Sequence, residues 1–104
     1  MVIKAILREE LENSLRMKKD YEQALAKLPR GALVQKIIKG NKYYYLAERV
    51  GRRVRYHYKG KMPEAEQKKY AEAKKMRAKY SRLLSQVKKQ IAFLRSSLRG
   101  KEEV

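Results

Sequence analysis

The side chains able to do covalent or acid–base chemistry are few in this sequence, and none stands in a catalytic arrangement. His57 is the only histidine and there is no cysteine, so neither a Cys/His metal set nor a Cys–His nucleophile pair can be assembled. No P-loop or Rossmann glycine pattern occurs; "RGALVQ" and "GNKYYY" carry turn glycines. Glu9, Glu10, Glu12, Asp20 and Glu22 share one segment, where they read as ion-pair partners for basic residues rather than as a metal cluster. The expectation is a protein that is not an enzyme, with no cofactor and no metal.

Binding chemistry is better represented. "NKYYYLAERVGRRVRYHYKGK", residues 41–61, sets five of the chain's eight tyrosines among arginines and lysines. Rings offer stacking surfaces for bases and cations meet phosphates. A second pattern is the line Lys68, Lys75, Arg82 and Lys89, spaced by seven residues, which on a helix stand about 10 Å apart along one face. Few acids lie four residues away to neutralise them. Over the whole chain, 28 Lys and Arg against 11 Asp and Glu give a net charge of +17. The excess is uneven: nine basic residues to one acid over 30–60, thirteen to five over 61–104, and six to five over 1–29. Self-repulsion of that size is relieved by a polyanion, and nucleic acid is the first candidate. Solvated lysine faces on a bundle, cross-strand Tyr–Arg stacking and a protein-binding surface are the competing uses of the same residues.

Three segments must position these groups. Residues 2–28 read as a helix from Ile3, Leu7, Leu11, Leu15, Leu25 and Leu28, with acids early and lysines late, ended by Pro29 and Gly31. Residues 32–58 change to β-branched and aromatic residues and predict a three-stranded antiparallel meander. Its first turn is expected at Gly40-Asn41. Its second is expected to be a three-residue loop, Arg49-Val50-Gly51, because Val50 at positive φ would be strained. That register puts Leu33, Ile37, Tyr44, Leu46, Val54, Tyr56 and Tyr58 on a core face, and Lys36, Ile38, Tyr43, Tyr45, Arg53, Arg55 and His57 on an outer one. Residues 63–99 predict a long helix opened by Pro63 and stopped by Gly100. Its coiled-coil-like seam holds Ala73, Met76, Tyr80, Leu83 and Val87, broadening to Leu84, Ile91, Leu94 and Leu98.

The fold class expected is therefore α+β: N-terminal helix, β-meander, long C-terminal helix, in a single domain over 1–104. The two helices are expected to form an antiparallel hairpin. Such a pair leaves apolar seam uncovered, which predicts a homodimer, with a sheet folded back over one hairpin as the competing arrangement. No stretch approaches the ~20 apolar residues of a membrane span. The start lacks a signal-peptide pattern. The expectation from both observations is a cytoplasmic chain with no membrane role.

Residues 28–60, "LPRGALVQKIIKGNKYYYLAERVGRRVRYHYKG", resemble a pattern in short, poorly characterised bacterial, archaeal and phage proteins. The pattern runs Leu-Pro-x-Gly, Ile-x-Gly, a Tyr-Tyr-Tyr-Leu strand, a turn glycine and a closing Tyr-x-Gly. Here Pro29, Gly31, Gly40, Tyr43, Tyr44, Tyr45, Leu46, Gly51 and Gly60 occupy it, with Arg52 where a lysine is usual. Some such sequences carry hairpin cysteines; this one does not, so no zinc role carries over. The resemblance implies an association with mobile elements and supplies no activity. The functional expectation is phosphate-directed nucleic-acid binding, DNA or RNA, through Lys36, Tyr43, Tyr45, Arg53, Arg55, Lys68, Lys75, Arg82 and Lys89. The alternative is an interaction module gripping an acidic protein through a Tyr/Arg-rich sheet face.

Overall fold

A computed structural model describes residues 2–102. Helix α1 spans Val2–Ala26, strands β1, β2 and β3 span Ala32–Ile38, Asn41–Val50 and Arg53–Gly60, and helix α2 spans Glu64–Glu102. The strands form one antiparallel sheet in the order β1-β2-β3, and α1 packs against α2. Two compact units result: α1 with α2 from Arg77 onward, and Leu28–Met76. No helix among the described residues is long and apolar enough to cross a membrane.

In the helical unit the packed positions alternate by three and four residues, which keeps one stripe facing a partner helix. On α1 the stripe is Leu7, Leu11, Ser14, Lys18, Tyr21 and Leu25; on α2 it is Tyr80, Leu84, Val87, Ile91, Leu94 and Leu98. The rings of Tyr21 and Tyr80 meet at 6.1 Å, and Leu11 lines one open groove with Ala92 and Leu98. As α1 advances α2 recedes, so the hairpin is antiparallel. Val87, Ile91, Leu94 and Leu98 are buried, each worth about 1.5–3 kcal/mol. Ile3 and Leu15, expected on the α1 seam, are exposed instead, and Ser14 occupies the seam at 1% exposure. Met76 likewise lies out of the packed stripe.

Charge and termini depart from expectation in two places. The acids and lysines of α1 lie inside it, since its first turn has no acid and its last no base. The macrodipole acts within the terminal turns, so it gains nothing from them. Gly100 does not stop α2: its φ is not positive, and the helix continues to Glu102. A glycine ends a helix only where it turns left-handed; in helical φ it merely weakens one. At the other end, Gln67 donates its backbone N–H to the Pro63 carbonyl at 3.1 Å and its Nε2 to the Met62 carbonyl at 2.9 Å, fixing the entry of the chain.

Both turns of the sheet differ from those expected. Ile38 pairs with Asn41, so the first turn is Lys39-Gly40, at φ +52° and +80°, a type I′ turn. Val50 pairs with Arg53, so the second is the two-residue turn Gly51-Arg52. Gly51 takes φ +63° at the first central position and Arg52 does not follow it, which is the type II′ arrangement. Val50 thereby stays in the strand, and the strain that argued for a longer loop never arises. Shifting β3 by an odd number of residues turns every one of its side chains to the other face.

Candidate nucleic-acid interface

Residues directly opposed across an antiparallel ladder share a face. On one face of the sheet lie Val34 opposite Tyr45, Lys36 opposite Tyr43, Tyr45 opposite Tyr58, Ala47 opposite Tyr56 and Arg49 opposite Val54. On the other lie Leu33 opposite Leu46, Gln35 opposite Tyr44, Leu46 opposite His57, Glu48 opposite Arg55 and Val50 opposite Arg53. An irregularity between Tyr44 and Tyr45 skips Lys59, so Tyr44 pairs with Gly60.

This corrects the expected platform. Tyr43, Tyr45 and Lys36 are together, as the sequence reading placed them. Arg53, Arg55 and His57 are on the opposite face, and Val54, Tyr56 and Tyr58 take their place beside the tyrosines. Tyr44 alone of the tyrosine run is buried, at 6% exposure. Leu46 packs over Gly31, where an added Cβ would come within 3.0 Å of the Leu46 side chain and the Ala47 carbonyl.

The resulting aromatic surface is connected. Tyr58 sits centrally, 5.2 Å from Tyr45 in an edge-on arrangement and 6.5 Å from Tyr43 at an interplanar angle of 35°. Lys36 holds its Nζ 5.3 Å from the centre of the Tyr45 ring, within cation–π range. Ile38, Tyr43, Tyr45 and Tyr58 line an open cleft. Tyr56 and Tyr58 are 64% and 60% exposed, so much of each side chain is accessible from solvent. Glu48, the only acid in residues 30–60, points to the other face, where its Oε2 lies 3.6 Å from His57 Nε2. The tyrosine face thus carries cations, Lys36 and Arg49, and no carboxylate.

The basic positions on α2 are exposed, Lys68 and Lys75 within the sheet-bearing unit and Arg82 and Lys89 within the hairpin unit. Lys68 Nζ lies 3.8 Å from Glu64 Oε1 with both side chains largely in solvent, an ion pair that contributes little. Among the described residues there is no group of His, Cys, Asp and Glu that could hold a metal.

Compared with protein families, with curated proteins and with solved structures, the chain matches none. The family resemblance drawn from residues 28–60 therefore gains no support beyond its own motif. Sequence reasoning missed Tyr56 and Tyr58 as surface residues. The signal was there in Gly51: a glycine in the first central position of a two-residue turn marks type II′ and sets the β3 register.

Proposed function

We propose that this chain is a non-enzymatic nucleic-acid-binding protein that holds the phosphate backbone with its basic residues and presents the tyrosine face of its sheet to bases. The observation that carries the reading is the face itself. Four tyrosines, Tyr43, Tyr45, Tyr56 and Tyr58, share it with Lys36 and Arg49, and the one nearby acid is turned away. Lys68, Lys75, Arg82 and Lys89 add phosphate-directed charge, and such contacts hold nucleic acid without reading its sequence. Apolar side chains left exposed at the start of α1 (Val2, Ile3 and Ile6) suit a second copy of the chain. A homodimer is part of the proposal.

The test is binding to labelled DNA and RNA across a salt series, with the mass in solution recorded alongside. An interface neutralising about four phosphates of a single strand loses roughly 50-fold in affinity between 50 and 200 mM salt. Affinity that ignores salt would remove the phosphate-contact reading, and a mass equal to one chain would remove the dimer. The acidic-protein alternative required arginines and tyrosines on one surface. Arg53 and Arg55 lie on the far face, while Arg49 and Lys36 stand beside the four tyrosines, so both readings lose the same two arginines.

A further inference from the structure

Resting on that reading, we infer that the cleft of Ile38, Tyr43, Tyr45 and Tyr58 is a seat for one unpaired base, so that the nucleic acid engaged is single-stranded. The ring centres of Tyr43 and Tyr58 stand 6.5 Å apart. The two planes are inclined at 35°, and both rings line the same open cleft. Tyr58 is 60% exposed on an edge strand, so a base entering the cleft meets an accessible ring on which to stack.

The remaining walls suit the same occupant. Tyr45 is already braced, with Tyr58 edge-on to it and Lys36 over its ring, and Ile38 supplies an apolar floor. Lys36, with its Nζ over the Tyr45 ring, supplies a cation next to a cleft-lining residue for the phosphate of a seated base. A duplex keeps its base faces inside its own stack and cannot offer one to the cleft. An acidic peptide would satisfy Lys36 and Arg49 but would leave the space between the rings to an aliphatic or aromatic residue of its own. The excess of cations and absence of carboxylate on this face favour the repeating anion of a nucleic-acid strand.

The experiment compares three ligands of one length: a single-stranded oligonucleotide, the same strand with abasic sites throughout, and its duplex. The intact single strand is expected to bind about 5- to 150-fold more tightly than the abasic strand, the range for one stacked base. In Tyr58→Leu the preference should vanish while the salt dependence of binding is unchanged. 2-Aminopurine within the intact strand should change its fluorescence on binding to the wild-type protein, a readout that needs no variant to fold. Equal, salt-dependent binding of intact and abasic strands would overturn the base seat and leave the phosphate-contact reading standing. Preference for the duplex would do the same. No binding of any of the three, even at low salt, would remove both readings and turn attention to an acidic protein.

Discussion

At the scale of single residues, Ser14 is the least expected. It is 1% exposed in the middle of the α1 seam, and its Oγ has no hydrogen-bond partner in the structure. The Tyr21–Tyr80 contact sets the antiparallel register, and seven residues back along α1 and seven forward along α2 bring Ser14 to the level of Val87. A hydroxyl desolvated without a partner destabilises by roughly 1–3 kcal/mol, while the small side chain lets the helices approach. Ser14→Ala keeps the volume and removes the unpaired group. The expected outcome is a gain on the order of 1 kcal/mol in denaturant unfolding; a loss would mean that the hydroxyl is satisfied in solution. Nothing in the sequence pattern marked this position, because a serine between leucines reads as the polar side of a helix. Ile3 and Leu15 drew attention in its stead, and both lie toward solvent.

At the scale of elements, periodicity was enough to find both helices and all three strands. It could not place the turns, since a shift of one to three residues leaves composition unchanged. "VGRR" admits a loop before Gly51 or a turn beginning at it, and only the second keeps Val50 out of positive φ while using two residues. The candidate site was legible in part for the same reason: Tyr43, Tyr45 and Lys36 depend on the first hairpin, whose two placements leave the faces alike. Arg53 and Arg55 depend on the second, where the faces exchange. The first turn also offers a test. Lys39 holds φ +52° in a type I′ turn, where asparagine followed by glycine is preferred. Lys39→Asn should raise the unfolding free energy by on the order of 0.5 kcal/mol without altering the register. A less stable variant in thermal or denaturant melts would argue that the Lys39 side chain has a role of its own.

At the scale of the whole molecule, the sheet has only three strands, so β1 and β3 both leave one ladder of backbone groups unpaired. The two edges are defended unequally. Strand β3 carries Arg53, Arg55 and Lys59, whereas β1, "ALVQKII", has Lys36 alone and leaves Val34, Ile37 and Ile38 exposed. Such an edge invites strand-to-strand pairing between molecules, and what opposes it is mutual repulsion between chains of charge +17. A polyanion removes that repulsion. With nucleic acid at charge equivalence and low salt, thioflavin fluorescence and turbidity should rise together, and placing a second lysine on β1 by Val34→Lys should suppress both. If the wild-type mixture stays clear, the edge is closed by some other means. On the proposed reading, the protection of β1 against self-templated assembly would reside in the charge of the entire chain, and a polyanion drawn by that charge would also be the agent that withdraws it.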